Sequence, residues 1–272
     1  MSLFVASLNS GSNGNCYYVG NEHEAVLVDA GISCRETETR MARLGLSMRK
    51  VKAIFISHEH SDHIRGLTVL AKKYRLPVYI TALTMYHGGL RLDDELVSAF
   101  IAEQPVHIGN LLITPFIKLH DAAHPHSFTI ACGDIKVGVF TDLGAVCENL
   151  VHHFQQCHAA FLEANYDEEL LERGNYPYHL KRRIRGGKGH LSNKQALTLF
   201  MDYKPAYMSH LFLSHLSKDN NDPALVHNLF NTHARGAEIV VASRYHETAV
   251  YHISGANIKA YAPLASLQTS LF

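Results

Sequence analysis

Four apolar segments of this 272-residue chain each run into a residue type that binds metal ions. "KAIFIS" leads to His58, "LLITPFIKL" to His120, "KVGVFT" to Asp142 and "HLFLS" to His215. Short apolar runs bounded by polar and turn residues read as strands. Strand ends of this kind collect along one rim of a sheet, so the four side chains are expected to meet there. The recurrence at four places constrains the fold more than any single motif. It asks for a layered α/β sandwich with a polar, metal-binding edge.

The first of these strands opens into "SHEHSDH", residues 57–63. The chain is rich in histidine, 20 residues in all, so the remaining strand ends must supply the ligands that a metal site still needs. Two divalent ions take about seven to nine protein ligands and a shared solvent molecule, which ionises near neutral pH. His58 and His60, two apart in an extended segment, can face one ion, completed by His120. Asp62 and His63, turned away at a helix start, can face a second, completed by His215. Asp142 is the natural bridging carboxylate. Asp29, at the end of "EAVLVDAG", is expected to hold the motif loop by hydrogen bonds. His124 and His126 compete with His120 but lie in a turn beyond the strand, and ligands favour rigid strand termini. His210 lies mid-strand and reads as packed or exposed. His87, His107, His152, His153, His227, His233, His246 and His252 have no spacing that singles them out.

The rest of the chain supplies the layers. Strands are expected at both ends of "LFVASLNSGSNGNCYYVG", in "PVYIT", in the pair "FTIACG" and "DIKVGVFTD", and in "HAAFLEAN" and "AYMSHLFLSH". Helices are expected in "CRETETRMARLGL" with Gly45 closing it, from Ser61 through Tyr74, over Glu148–Cys157, in "SNKQALTLFMDYK" and in "DPALVHNLFNTHA". "EIVVAS" and "ETAVYHI" read as a closing hairpin. No linker interrupts the pattern, so residues 1–272 are expected to form one domain, with a short tail from about residue 262. Apolar residues are 47% and charged residues 18%, with 25 Lys plus Arg against 25 Asp plus Glu. No global positive field exists, and a polyanionic partner would need a local patch. Five scattered cysteines, no long apolar run and no signal-like start point to a reducing cytoplasm without disulfides or thiolate metal sites.

"SHEHSDH", "KLHDA", "FTDLG" and "LSHLS", in this order, resemble the metallo-β-lactamase fold superfamily. The resemblance covers nearly the whole chain and implies a four-layer αββα sandwich with a dinuclear site at one edge. Two more segments resemble its phosphodiesterase branch, typified by tRNase Z. Glu163 ends a strand in "FLEANYD", and His190 precedes a helix in "GKGHLSN". There such a Glu and His act as a proton-shuttling dyad beside the metals, although Leu162 stands where that branch carries a leading His. The alternative is a Glu163 bonded only to backbone and a His190 that merely caps a helix. "GSNGNCYYV", "HDAAHP", "GHLSN" and "LSHLSKDNND" together look most like the YycJ/WalJ-type branch, which implies a 5′→3′ exonuclease acting on double-stranded DNA. "HPHSF" departs from the Pro-x-Gly expected of it.

Beside His190 runs "HLKRRIRGGKGHLSN". Lys181, Arg182, Arg183, Arg185 and Lys188 read as a phosphate-backbone track, with Tyr176 and Tyr178 able to stack on bases, against the alternative of a solvated loop. "SGSNGN" lacks the Lys and helix of a P-loop and reads as a hairpin turn, with Ser12 or Asn13 at the site rim. The ending "SLQTSLF" matches, from Gln268 to Phe272, peptides that dock on the replicative sliding clamp, unless the tail folds back on its own domain. The expected activity is that of a dinuclear phosphodiesterase with Asp62, Glu163 and His190 in catalytic roles. Zn²⁺ suits the imidazole-rich site and Mn²⁺ is the alternative. Rival readings are a thioester hydrolase of the glyoxalase II kind, an RNA-processing nuclease, and a metal-binding protein without catalysis.

Overall fold

A computed structural model of the protein describes residues 1–255, and within them the chain builds two seven-stranded sheets. The first takes β1 (Ser2–Asn9), β2 (Cys16–Gly20), β3 (Ala25–Val28), β4 (Val51–Phe55), β5 (Val78–Tyr79) and β6 (Val97–Ser98). The second takes β7 (Val106–Ile108), β8 (Leu111–Ile117), β9 (His126–Cys132), β10 (Ile135–Phe140), β11 (Ala159–Glu163), β12 (His210–Ser214) and β13 (Glu238–Val241). The chain then returns, and β14 (Tyr251–Ser254) pairs antiparallel with β1 at the edge of the first sheet. The expected Gln268–Phe272 docking peptide lies outside the described residues.

The helices are α1 (Cys34–Arg43), α2 (Ser61–Ile64), α3 (Leu67–Tyr74), α4 (Ala82–His87), α5 (Glu148–Phe154), α6 (Glu168–Arg173), α7 (Tyr178–Ile184), α8 (Asn193–Tyr203) and α9 (Pro223–Asn231). Strand alternation assigns the layers. Val26, Val28, Ala53 and Phe55 of the first sheet meet Phe128, Val137, Val139 and Phe161 of the second in the central core. Their neighbours face outward. Leu27 and Ile54 pack under Met41 of α1 and Leu67 and Leu70 of α3, while Leu162, Leu211 and Leu213 pack under Leu150, Leu199 and Phe230 of α5, α8 and α9. Both faces of the central strands are covered, which is why they read as continuous apolar runs. The result is the expected αββα sandwich.

Local chemistry sets the helix limits. α1 starts on Ser33, whose hydroxyl accepts from Glu36 N. It ends in a left-handed Gly45, with Gly45 N donating to Ala42 O and Leu46 N to Met41 O. α8 begins in a reciprocal capping box between Ser192 and Gln195.

Two sequence expectations are corrected. The helix expected from Ser61 through Tyr74 is broken at Gly66, whose N–H donates to Ala30 O and where a Cβ would stand 1.9 Å from Ile32 O. Close packing against the β3 exit takes precedence over helix continuity. The closing hairpin also does not form. β13 extends the second sheet parallel to β12, while β14 joins the first. The connection crosses between sheets beside β1, held by Thr248 N to Ser7 O and Ser7 N to Thr248 Oγ1.

Among the described residues no helix is long and apolar enough to cross a membrane. The five cysteines are all unpaired thiols.

Candidate metal centre

β3, β4 and β5 run parallel, as do β10, β11 and β12, and β8 shares their direction through its antiparallel partner β9. Their carboxyl ends therefore open on one rim, the usual place for a site in such sheets. Asp29 follows β3, the His58–His63 motif follows β4, Asp142 follows β10, Glu163 ends β11 and His215 follows β12. His120 sits three residues beyond Ile117, the last residue of β8, rather than at the strand end as expected. Asp29, Asp142 and His215 have φ of 62°, 56° and 57°. Asp and His tolerate this left-handed region better than most residues, and using it turns the chain sharply off each strand.

All seven expected metal residues come together, in two groups. His58, His60 and His120 form one, and Asp62, His63, Asp142 and His215 the other, with ligand atoms in each group within 4.8 Å of one another. In the first, His60 Nδ1 lies 3.0 Å from His58 Nε2 and 3.3 Å from His120 Nε2. In the second, His63 Nε2 lies 3.2 Å from Asp142 Oδ2 and 3.5 Å from Asp62 Oδ2, and His215 Nε2 lies 3.5 Å from Asp62 Oδ2. Asp142 Oδ1 reaches to 3.8 Å from His120 Nε2, so this carboxylate faces both groups.

The outer nitrogens are already engaged, which orients the rings. His58 Nδ1 donates to Ser57 Oγ, and that hydroxyl donates to Asp29. His63 Nδ1 donates to Asp29 Oδ2 at 2.7 Å, and Ser57 N to Asp29 Oδ1 at 2.8 Å. His120 Nδ1 donates to Gly189 O at 3.0 Å, and His215 Nδ1 to Glu163 Oε1 at 2.9 Å. Each of these four rings is left with Nε2 turned inward. Asp29 holds the motif loop as expected.

These residues fit divalent cations. Asp142 Oδ2 and His215 Nε2 are buried without a hydrogen-bond partner, a costly state for polar atoms unless something positive meets them. Burial holds His58 well below its ordinary range and brings His120 down to about 3, so the first group is neutral and rich in lone pairs. In the second group burial also disfavours charge on His215, but Asp142, Asp62 and Glu163 outweigh it and raise the imidazole to about 10. That group is built around positive charge.

Glu163 and His190 meet at the same place. Glu163 is fully buried, and its Oε1 accepts from both His190 Nδ1 at 2.8 Å and His215 Nδ1 at 2.9 Å. Its Oε2 accepts from Leu143 N at 2.7 Å and Leu191 N at 3.1 Å, so one side chain both pairs with His190 and binds backbone. Burial would raise this carboxyl, but His190 first and then His215 hold it at about 2. The His190 ring lies 5.4 Å from that of His120 and 5.3 Å from that of His215, between the two groups.

Other expectations resolve less simply. The basic run is not a loop: Lys181, Arg182 and Arg183 lie on α7, followed by a glycine turn that carries Lys188 against Gly144. Arg183 Nε pairs with Asp121 Oδ2 at 2.5 Å, Arg185 with Glu172 at 3.0 Å, and Lys181 Nζ donates to Glu172 O. Tyr176 donates to Asp219, while Tyr178 is exposed. His126 Nδ1 donates to His124 O, His210 stacks on Phe212, and none of these three histidines enters the metal-ligand groups of the described residues.

Four contributors had no role assigned from sequence. Asn15 Nδ2 donates to Asp62 Oδ2 at 3.1 Å, and Ser10 Oγ accepts His215 N at 2.8 Å. Lys118 is fully buried and donates to Thr141 O, beside Asp142. Asp121 Oδ1 lies 3.4 Å from His120 Nε2. Asp121 stood beside His120 in "HDAA", and that adjacency was the available signal; Asn15 stood in "SGSNGN", far along the chain from any ligand.

The Asn15 contact needs a glycine nearby. Asn15 N donates to Asp62 O, Gly31 N donates to Asn15 O, and a Cβ on Gly31 would stand 1.6 Å from Asp62 O. Gly31→Ala is expected to destabilise by about 3 kcal/mol, lowering Tm by about 6 °C or more in a thermal melt. Gly187→Ala, at a glycine with nothing within 4 Å of an added Cβ, is expected to melt like wild type.

Comparison with known proteins agrees with this geometry. Residues 10–180 match the family model described as the metallo-beta-lactamase superfamily. The chain is 37% identical over 226 residues to an exodeoxyribonuclease YycJ of Bacillus anthracis, covering 81% of this chain and 85% of the relative. It is 33% identical over 227 residues to an exodeoxyribonuclease WalJ of Streptococcus pneumoniae, covering 81% and 84%. The crystal structure of the metallo-beta-lactamase fold protein YhfI from Bacillus subtilis superposes with a TM-score of 0.72 at 17% identity, covering 93% of this chain and 100% of that one. Fold, rim and relatives lead to one conclusion: the chain belongs to the metallo-beta-lactamase superfamily and is a metal-dependent hydrolase.

Proposed function

We propose that the protein is a dinuclear metal-dependent phosphodiesterase that degrades double-stranded DNA from the 5′ end. The observation that carries the reading is Glu163, which fixes His190 between two groups of metal-ligand side chains. Its relatives named exodeoxyribonucleases, aligned over four-fifths of the chain, support the choice of DNA. His58, His60 and His120 would hold one ion, Asp62, His63 and His215 the other, and Asp142 both. When bound, the ions supply Lewis acidity and an ionised solvent nucleophile at neutral pH. Zn²⁺ matches the five imidazoles, with Mn²⁺ the second choice.

The chain's own residues then handle position and protons. Asp29 and Asn15 keep His63 and Asp62 in place. Because Nδ1 of His190 is committed to Glu163, Nε2 is the nitrogen that faces a substrate. As the P–O bond to the departing nucleoside oxygen breaks, His190 gives that oxygen its Nε2 proton, and Glu163, bonded to Nδ1, holds the ring in position for the transfer. Lys181, Arg182, Arg183, Arg185 and Lys188 lie on the approach as backbone contacts, three of them after exchanging present partners. One domain over residues 1–272, a cytoplasmic setting matched by five free thiols, and clamp docking through Gln268–Phe272 complete the proposal, the last on sequence alone.

The test is incubation with end-labelled double-stranded DNA, single-stranded DNA and RNA, in Zn²⁺ or Mn²⁺, beside Asp62→Ala. Metal-dependent shortening of the duplex from its 5′ end, absent in the variant, is expected. A protein that cleaves thioesters and no polymer overturns the reading.

A further inference from the structure

The basic run beside His190 spends much of its charge on neighbours. Arg183 is paired with Asp121, and Arg185 with Glu172. Of the arginines outside it that have no carboxylate within 4.0 Å among the described residues, Arg65 and Arg244 both lie against the Gly11–Asn15 loop. Arg65 Nη1 donates to Asn13 O at 3.3 Å. Arg244 crosses Gly11, with its Cβ 3.2 Å and its Nη2 3.5 Å from where a Cβ on that glycine would stand, and Asn13 Nδ2 donates to Arg244 O at 2.8 Å. Gly11, at φ +145°, leaves room for the arginine where a side chain would crowd it.

This loop also builds the Asp62–His215 side of the centre. Ser10 Oγ accepts His215 N, Ser10 N donates to Ser243 O immediately before Arg244, and Asn15 Nδ2 donates to Asp62 Oδ2. α7 and its glycine turn join the other side, where Gly189 O accepts from His120 and Arg183 pairs with Asp121. The two guanidiniums thus flank the centre where the sequence pointed to no positive charge. Each is a planar fork that matches a phosphate, with no ion pair to give up first.

We infer that Arg65 and Arg244 form a phosphate-backbone clamp on the Asp62–His215 side, so that nucleic acid is gripped on both flanks of the metal centre. The inference rests on the nuclease reading above. α7 guides the strand toward His190, and the Arg65–Arg244 clamp holds backbone phosphates that flank the scissile one, outside the metal centre.

The test measures Kd for a short fluorescent duplex with terminal phosphorothioates across a salt series, and separately kcat for the small diester bis(p-nitrophenyl) phosphate. The Arg65→Ala/Arg244→Ala double variant is expected to raise Kd by about 10–100-fold and to lower the slope of log Kd against log salt by about 2. Its kcat on the small diester is expected to stay at the wild-type value. Arg65→Lys/Arg244→Lys, which keeps both charges, is expected to keep most of the slope. Arg49→Ala, in the turn leading into the amino end of β4 and so at the far end of the sheet, is expected to change nothing. A double alanine variant with wild-type Kd and slope, while wild type binds and cuts the duplex, overturns the clamp alone. A wild type that neither binds nor cuts DNA overturns the nuclease reading and the clamp with it.

Discussion

Asp142→Asn is expected to leave the fold standing and remove the metal chemistry. Asparagine is the substitution of choice because residue 142 has φ +56°, a region that Asn enters more readily than Ala. The side chain keeps its shape but loses the charge that faces His63 at 3.2 Å, His215 at 3.5 Å and His120 at 3.8 Å. No other carboxylate in the two metal-ligand groups lies within ion-pair distance of histidines from both. For the dinuclear centre proposed above, metal content per chain should therefore fall from two to one or fewer, and diester hydrolysis by at least about 10³-fold, the several kcal/mol that metal charge stabilisation supplies. A second readout is independent of activity. Ions that bind only the folded chain raise Tm by mass action, so adding Zn²⁺ to chelated wild type should raise its Tm, and the variant should respond little. A variant that keeps two ions and full activity would remove Asp142 from the bridging role.

What the sequence could reveal about this centre follows from how far apart the contributing residues lie. Ligand types at the ends of apolar runs were legible, because the run identifies the strand and the strand delivers its end to the rim. His58, Asp142 and His215 follow that logic directly, and His120 follows it with three residues to spare. Asp29 was legible for the same reason. Asn15 and Ser10 were not, since their role depends on a turn between β1 and β2 folding across to Asp62 and His215. Nothing in a Gly/Ser/Asn turn says which strand end it will touch. The closing strands were misread for a related reason. "EIVVAS" and "ETAVYHI" are close in sequence, and proximity argues for a hairpin, but each edge had a vacancy in a different sheet. The basic run was visible as composition only, because its pairing depends on α7 being a helix, on Asp121 lying 62 residues away in the chain and on how α6 places Glu172.

His190→Ala is expected to separate proton delivery from metal binding. His190 also forms a group with Asp142, Glu163 and His215, with ligand atoms within 4.8 Å of one another, but it is not among the seven side chains assigned to the ions, so metal content should stay at the wild-type level. Cleavage of DNA expels a nucleoside alkoxide, a poor leaving group, and loss of a positioned acid costs about 10²–10⁴-fold. Bis(p-nitrophenyl) phosphate expels p-nitrophenolate, a stable anion near neutral pH, so the same variant should lose less than about tenfold on it. Glu163→Gln makes the contrast. The amide keeps one acceptor but loses the charge shared by His190 and His215 and the second oxygen that receives Leu143 N and Leu191 N. Disturbing the orientation of His215 is expected to weaken metal affinity about 10–100-fold, so this variant should fail on both substrates and regain aryl-diester hydrolysis when metal is raised. If His190→Ala instead falls equally on DNA and on the aryl diester, His190 does not act as the acid. Its hydrogen bond to Glu163 would then matter only for holding the carboxylate against His215, and the leaving oxygen would take its proton from solvent.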